Sequence, residues 1–243
     1  MRAPFAAAEL ASTTRVWNSP RHAWQLYNVG YISNDQKLHF EQTADIDLGV
    51  APWNDGDGWP GIGSIGITDF NAVVDGAGFA ISNMTISASR IRAGLFSRVE
   101  GATLQSIALE NVNIETDGGF AGALLGAGDG GGFTDIIDSY ATGTITVNNT
   151  GEHTGEHTGE HTGGLVGYTE GTANDVIVAS YARGAVSGTS SVGGLIGTDS
   201  GTVTASFYDQ TSSGKSDTIG ATLLTTPALE PFGVSWTDHR TPT

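Results

Sequence analysis

Three histidines and three glutamates occur in a tandem tract, and both residue types are ligands for zinc, nickel or copper. The tract contains three Glu-His-Thr-Gly units over residues 152–163, which places His153, His157 and His161 four residues apart. That spacing would align the histidines on one helical face, but the Gly and Thr of each unit disfavour a stable helix. We therefore expect an inert corner loop, with adventitious metal binding as the alternative.

Two pairs of aspartates are the other candidates for chemistry. Asp45 and Asp47 are predicted to share one face of a short strand, and Asp55 and Asp57 lie in a Gly/Pro/Trp-rich loop. Paired carboxylates suit calcium binding or glycoside hydrolysis. The sequence offers no recognisable second acid–base group or arginine beside them. We therefore predict no catalytic residue and no cofactor, and leave calcium open.

Aromatic and small polar residues have structural and functional interpretations. Trp53 and Trp59 could stack on sugar rings, but such aromatics more often pack a loop over an apolar edge, which is what we expect here. We expect another group of polar residues to form corners and internal hydrogen-bond ladders: Asn83, Asn111, Ser139 and Ser180.

The elements that must position these residues repeat with a period of about thirty residues. Variants of a Gly-Leu-Val-Gly phrase place leucines at 95, 124, 165 and 195, at intervals of 29, 41 and 30 residues. Removing the twelve residues of the tract from the long interval restores 29. Such a period indicates stacked units that each bury an apolar face on the next. Glycine accounts for 36 of 243 residues and recurs at the same positions of the repeat, as expected for residues that form tight turns.

Each repeat contains three short apolar runs bounded by Gly or Asn. This pattern predicts an all-β fold: a right-handed, three-sided parallel β-solenoid (β-helix) of about six turns, with the four leucines stacked in one inward ladder. A sandwich of antiparallel hairpins is the alternative, but it would give turn signals every 8–12 residues without a thirty-residue register.

The predicted domain boundaries follow from the repeats. Residues 1–18 are expected to be a tail and residues 19–225 a single solenoid. The repeats cover 94–114, 120–147, 163–188 and 193–214, with a loop insertion at 152–163 and a second tail at 226–243. Ser19-Pro20 opens a short helix near residues 20–29, which we expect to cap the exposed N-terminal end of the sheet stack.

The repeat residues resemble the GLUG motif. Gly163 to Gly167 followed by Ser180-Tyr181-Ala182-Arg183-Gly184 is its clearest copy, and the segment from Ala44 to Gly94-Leu95-Phe96 is similar to the block that precedes such motifs in filamentous-haemagglutinin-like and other large bacterial surface proteins. The central copy departs from the pattern at Ala123. The resemblance covers roughly residues 20–225 and implies a β-solenoid of a secreted or bacterial cell-surface protein, without implying a ligand.

The charge balance restricts the partners. The chain has 26 acidic and 10 basic residues, a formal net charge of −16, and no cysteine. Such a surface disfavours nucleic acid and anionic lipid, and no apolar run is long enough to span a bilayer. The missing cysteines exclude disulfides, thiol catalysis and thiolate metal sites. The N-terminus lacks an adequate apolar signal core, so we expect a fragment of a longer polypeptide.

These observations favour a non-catalytic adhesin-like or structural module, with a host or environmental surface glycan or protein as the partner to test. The alternative is a carbohydrate-active β-helix enzyme, either a polysaccharide lyase or a glycosidase. An ice- or calcium-binding surface module ranks third. Ice binding through a flat threonine face is disfavoured because the threonines lack a regular Thr-x-Thr ladder.

Overall fold

A computed structural model describes residues 14–17, 22–30, 38–63, 70–87, 90–128, 132–148, 160–169, 175–198, 201–217 and 221–225. The helices are α1 (His22–Val29) and α2 (Gln210–Ser213). The strands, all short, are β1 (Thr14–Trp17), β2 (His39–Gln42), β3 (Ile46–Asp47), β4 (Val73–Asp75), β5 (Ala80–Ser82), β6 (Thr85–Ser87), β7 (Arg92–Ala93), β8 (Phe96–Val99), β9 (Thr103–Gln105), β10 (Ala108–Thr116), β11 (Phe120–Ala121), β12 (Leu125–Gly128), β13 (Asp135–Ile137), β14 (Tyr140–Val147), β15 (His161–Gly163), β16 (Val166–Thr169), β17 (Val176–Val178), β18 (Tyr181–Ser187), β19 (Val192–Gly193), β20 (Ile196–Thr198), β21 (Thr202–Thr204), β22 (Phe207–Asp209) and β23 (Thr222–Leu224).

The strands form four ladders in which successive turns pair in parallel. Ladder A is β1-β2-β4-β9-β13-β17-β21, and ladder B is β3-β5-β10-β14-β18-β22-β23, with β6 also on β10. Ladder C is β8-β12-β16-β20 and ladder D is β7-β11-β15-β19. The fold is therefore all-β with parallel sheets, of the β-helix type. A full turn contributes four strands where the sequence predicted three, because the predicted run 123–125 spans the corner between β11 and β12.

The four repeat leucines stack as predicted. Leu95, Leu124, Leu165 and Leu195 are completely buried. Their backbones are joined turn by turn: the Leu124 N–H donates to the Leu165 carbonyl (3.0 Å), and the Leu165 N–H donates to the Leu195 carbonyl (2.9 Å). The inward residues of ladder A complete the core with a second apolar column that includes Phe40, Val74, Leu104, Ile136 and Ile177.

The glycines of the repeated phrase allow ladders C and D to approach each other closely. A methyl group added at Gly163 would lie 2.0 Å from the Val166 carbonyl oxygen and 2.7 Å from the Gly197 nitrogen. One added at Gly122 would lie 2.5 Å from the Gly167 nitrogen. Carbon atoms cannot occupy such positions, so each Gly-x-x-x-Gly phrase brings two backbones into direct contact. This contact is the physical reason for the motif.

Serines link successive turns at the corner between ladders A and B. The Ser180 hydroxyl donates to the Val178 carbonyl (3.0 Å) and accepts from the Ser139 N–H (3.4 Å). The Ser206 hydroxyl repeats the arrangement with the Ser180 N–H (3.2 Å). Each serine follows a non-glycine residue with a positive φ near 50°: Asp138, Ala179 and Ala205. The predicted internal ladder of Ser139 and Ser180 is therefore confirmed, and it satisfies backbone groups that the corner removes from the sheets.

The N-terminal end differs in part from the prediction. Helix α1 is present and lies beside β1 and β3, the terminal strands of ladders A and B. Residues Thr14–Trp17, which the sequence placed in a tail, form β1 and extend ladder A by pairing with β2. This strand precedes the repeats and has no repeated phrase, so periodicity gave no signal for it. The predicted tail at 226–243 lies outside the described residues.

Candidate functional site

Asp45 and Asp47 lie on one exposed face beside β3, as predicted, and both carboxylates accept hydrogen bonds from the fold. Asp45 Oδ1 accepts from the Ala80 N–H at 3.1 Å. Asp47 Oδ1 accepts from Asn83 Nδ2 (2.9 Å) and from the Gly49 N–H (2.8 Å). These two bonds, of which the Asn83 bond is the larger cause, hold the pKa of Asp47 below its ordinary value.

The Asp47 carboxylate begins a polar ladder that runs along ladder B. Asn83 Oδ1 in turn accepts from Asn111 Nδ2 (2.7 Å), and the Asn111 N–H donates to the Thr142 hydroxyl (3.1 Å). Asn83 and Asn111 have positive φ angles of 58° and 55°, a conformation in which asparagine is enriched. The predicted internal hydrogen-bond ladder is thus confirmed for both asparagines, and Asp47 holds the first of them in place. Neither lies at a corner between ladders: Asn111 lies within β10 at a shift in strand register, and Asn83 lies between β5 and β6, which both pair with β10.

Asp55 and Asp57 lie in the loop that carries the two tryptophans, and their side chains are exposed. Their carbonyls support the loop: Asp55 accepts from the Gly58 N–H (3.0 Å), and Asp57 accepts from the Ser87 N–H (3.1 Å). Within the described ranges, no group of three or more His, Asp or Glu side chains is arranged to hold a metal ion. The calcium hypothesis for these four aspartates stays a prediction.

The tryptophans pack inward. Trp59 is fully buried and its Nε1 donates to the Leu95 carbonyl (3.0 Å), while Trp53 is 6% exposed. Tyr27 and Trp24 of α1 extend this cluster, with ring centroids 5.3 Å and 4.7 Å from Trp53. The two tryptophans therefore pack their loop against α1 and against the N-terminal part of the core, as we expected from the sequence. Trp24, which sequence reasoning did not single out, is the half-exposed member.

The Glu-His-Thr-Gly tract is divided by the structure. Residues 152–159, including His153 and His157, lie outside the described residues. The last unit is not part of a loop: His161–Gly163 form β15, where His161 pairs with Phe120 and Thr162 with Val192. The predicted loop insertion at 152–163 is therefore wrong for residues 161–163. Because the three tandem units are identical, their own residues do not indicate which of them enters the ladder.

His161 is part of an aromatic column on ladder D. Its ring is nearly parallel to that of Phe120 (centroids 5.2 Å apart, 10°) and lies 4.9 Å from the ring of Tyr168. Its Nδ1 is 2.6 Å from the Thr198 hydroxyl, and Arg92 lies over Phe120 at 5.6 Å. These contacts explain His161 as a packing residue.

Glu160 is the unexpected polar residue of the tract, because it is 5% exposed. Its Oε2 accepts from the Thr189 N–H (3.1 Å) and from the Thr189 hydroxyl. These two hydrogen bonds connect Glu160, the residue before β15, to the next turn, just after the end of β18. A glutamate in a tract of tandem repeats gives no sequence signal of burial.

The length of the insertion can be measured against its neighbours. Val147 precedes His161 by 14 positions, whereas the matching step is 4 in the turn before, from Thr116 to Phe120. In the turn after, it is 3, from Gly188 to Ser191. The tract thus lengthens this corner by 10 or 11 residues. The estimate of twelve residues came from the leucine intervals, which also include small differences in length at other positions of the turn.

Two buried tyrosines on ladder B, each near a carboxylate, were not identified from the sequence. The Tyr140 hydroxyl donates to Glu110 Oε1 (2.8 Å). Tyr181 lies one turn further, near Asp209, which is fully buried, caps α2 and pairs with Arg183 (3.5 Å). Burial first, and then the adjacent carboxylates, raise the pKa of both phenols well above the ordinary range. They stay protonated at neutral pH, so they can donate hydrogen bonds but cannot act as bases.

Comparison with known proteins shows similarity to a known sequence and to a solved structure. No protein-family model matches the chain. Over 150 residues, or 59% of its length, the chain is 32% identical to halomucin of Haloquadratum walsbyi, of which the match covers 1%. A crystal structure of a candidate immunoglobulin A1 protease from Bacteroides ovatus covers 88% of this chain and 86% of its own, with a TM-score of 0.54 and 17% identity. That likeness concerns the fold alone.

Halomucin is a much longer protein, so its activity and partners do not transfer to this segment. In the part of the chain that the structure describes, no helix is long and apolar enough to cross a membrane.

Proposed function

We propose that this chain is a non-catalytic structural module of a secreted or cell-surface protein and that it belongs to a longer polypeptide. The observation that carries the proposal is the use of its polar residues. Asp45, Asp47 and Asp209, which an enzyme would direct into a groove, instead accept hydrogen bonds from their own fold. The match to a segment of halomucin supports the surface context.

The finer features of the module are proposals of the same kind. The GLUG-like repeats, the right-handed three-sided winding and an adhesin-like role on a bacterial surface are what the repeat sequence favours. Right-handedness has the additional support that crossovers between parallel strands are almost always right-handed. A surface glycan or protein is the partner we propose for it. A crystal structure with four like-facing leucines but left-handed winding would contradict the proposed handedness.

The alternative function from the sequence is a carbohydrate-active β-helix enzyme. The test is a screen of the purified chain against polysaccharides at several pH values, with Asp45→Asn, Asp47→Asn and Asp55→Asn variants beside it. We expect no depolymerisation above the level of a heat-treated sample. Reproducible cleavage that one of these variants abolishes would replace our proposal.

The surface location has its own test. Intact cells of the source organism are treated with a non-permeant amine- or carboxyl-reactive label, and the labelled peptides are identified by mass spectrometry. We expect peptides of this chain to be labelled, alongside a cytoplasmic control that is not. An unlabelled chain in cells with intact membranes would contradict the surface assignment. A glycan array then tests whether the module binds a partner or serves as a spacer.

A further inference from the structure

Asp-Gly dipeptides are places where a protein backbone can rearrange without an enzyme. The glycine nitrogen attacks the carboxyl carbon of the aspartate before it, and glycine has no Cβ to hinder the approach. Four such dipeptides lie wholly within the described residues: Asp55-Gly56, Asp57-Gly58, Asp75-Gly76 and Asp117-Gly118. They are equivalent as sequence motifs, but the structure places them in different surroundings.

Two of the dipeptides are held by hydrogen bonds to other residues. The Gly76 N–H donates to the Gln105 carbonyl (2.9 Å), and the Asp75 carboxylate accepts from the Gln105 side chain (2.7 Å). The Gly118 N–H donates to the Thr116 hydroxyl (3.0 Å), and Gly118 is buried. Neither nitrogen can turn toward the carboxyl carbon of its aspartate without losing such a bond.

The two other dipeptides follow each other in the loop that carries the tryptophans, and the second of them is fixed against β6. The Gly58 N–H donates to the Asp55 carbonyl (3.0 Å). Gly58 has a φ of 74°, and a methyl group at this position would lie 2.1 Å from the Thr85 carbonyl oxygen. The Asp57 carbonyl accepts from the Ser87 N–H (3.1 Å). Asp57 thus has an exposed side chain, but the nitrogen that would attack it is held.

Asp55-Gly56 is in the opposite situation. Both residues are exposed, and a methyl group added at Gly56 would meet nothing within 4 Å. Within the described part of the chain, the Gly56 N–H donates no hydrogen bond and the Asp55 carboxylate accepts none. The nitrogen and the carboxyl carbon can therefore approach each other without breaking a contact of the fold.

We propose that Asp55 is a site of spontaneous isomerisation to isoaspartate and that the other three aspartates are protected while the chain is folded. The Gly56 nitrogen forms a bond to Asp55 Cγ, and the bond from Cγ to the hydroxyl oxygen of the protonated carboxyl group breaks. The hydroxyl takes the electron pair and leaves as water with the amide proton. A water molecule then opens the cyclic imide, and attack at the backbone carbonyl carbon gives isoaspartate. The reaction needs no partner, so the inference does not depend on the proposed function.

The product would change the loop that packs over the N-terminal part of the core. Isoaspartate adds one carbon atom to the main chain between the buried residues Trp53 and Trp59, whose ring centroids are 5.2 Å apart. The Asp55 carbonyl that accepts from the Gly58 N–H becomes part of a free carboxylate. The contact between this loop and α1 should therefore loosen as the molecule ages.

The test is storage of the purified, folded chain at neutral pH and physiological temperature. Samples taken at intervals are digested, and electron-transfer fragmentation distinguishes isoaspartate from aspartate at each position. We expect isoaspartate to accumulate at Asp55 at least tenfold faster than at the other three positions. Asp55→Glu should abolish this signal, because the longer side chain closes a ring much more slowly, whereas Asp57→Glu is the matched control that should leave it unchanged. Accumulation at any of the other three as fast as at Asp55, or none at Asp55, would overturn the proposal.

A second arm tests the structural reason. The same measurement is made on the chain unfolded in guanidinium chloride, where the three held glycine nitrogens are released. We expect all four positions to accumulate isoaspartate at comparable rates. If Asp55 stays tenfold ahead in the unfolded chain, the neighbouring residues and not the fold cause the selectivity, and the argument is refuted. Neither arm needs an exported protein, so a failed surface-labelling experiment would count against the proposed function without affecting this result.

Discussion

Two deletions in the Glu-His-Thr-Gly tract differ by only four residues but should have different outcomes. Removing residues 152–159 shortens the step from Val147 to His161 from 14 positions to 6, still longer than the 4 and 3 of the adjacent turns. Removing residues 152–163 leaves only 2 positions between Val147 and the residue that takes the place of His161. It also removes Glu160 and takes the native His161 and Thr162 out of ladder D.

The magnitudes follow from these steps. Loop-closure entropy changes by about 0.6 kcal/mol per doubling of length, so the eight-residue deletion should stabilise the fold by less than about 1 kcal/mol. The twelve-residue deletion loses the Glu160 hydrogen bonds, about 1.5–3 kcal/mol for a charged acceptor, and the His161–Phe120 stack, about 0.5–1.5 kcal/mol. The shortened corner, which is tighter than in the adjacent turns, adds to these losses. We therefore expect the free energy of unfolding to fall by about 3–5 kcal/mol.

Thermal unfolding, followed by far-ultraviolet circular dichroism at fixed scan rate, distinguishes the two outcomes. For a chain of this size, 1 kcal/mol corresponds to about 2–4 °C, so the longer deletion should lower Tm by roughly 10 °C and the shorter one should leave it within about 3 °C. Glu160→Gln and His161→Ala in the full-length chain separate the lost contacts from the shortened corner. If removal of 152–163 leaves Tm unchanged, the placement of β15 in the ladder is incorrect.

Four further predictions concern the core, the glycine contact, high pH and salt. Leu124→Ala should destabilise the chain by about 2–5 kcal/mol in urea unfolding, since it empties a fully buried position. Gly163→Ala should cost about 3 kcal/mol or prevent folding, whereas Gly128→Ala, where a methyl group meets nothing closer than 3.5 Å, should be nearly neutral. Burial and the nearby Asp217 raise the pKa of Tyr208 to about 12, so its contribution to stability is complete below pH 10 and is lost as the pH rises to 12; Tyr208→Phe should flatten that part of the pH profile. Sodium chloride should raise Tm, because it screens the self-repulsion of a net charge of −16, and an unchanged Tm between 0.02 and 0.5 M would contradict this.

The periodic part of the fold could be predicted because the same physical requirement recurs in every turn. Each turn needs a leucine at the inner corner and a glycine where ladders C and D touch, and both leave a mark every thirty residues. Ala123 stands one position after this contact, where the later turns have Gly164 and Gly194, and it lines a small cavity together with Ala141 of ladder B. In the last turn Tyr208 occupies that place, and a methyl group on Gly194 would lie 2.1 Å from its ring.

Features that occur once could not be predicted from periodicity. Strand β1 carries no repeated phrase and owes its place to a free edge of β2. The phase of the tract was ambiguous because any of three identical units satisfies the same pairing with Phe120, and only the tight Gly-Leu corner after Gly163 selects the last one. The candidate aspartates were found correctly as residues that share a face, but their partners Ala80 and Asn83 lie 35 and 36 residues further along the chain.

The parallel ladders also determine how this chain would respond to tension. Their hydrogen bonds run from one turn to the next. A force that pulls the two ends of the stack apart therefore acts along the direction of the bonds between neighbouring turns. Turns would then detach one at a time from an end, as expected when each unit contacts only its neighbours. Each detached turn of thirty residues releases about 100 Å of extended chain. A surface protein containing such a segment would lengthen in discrete steps under load.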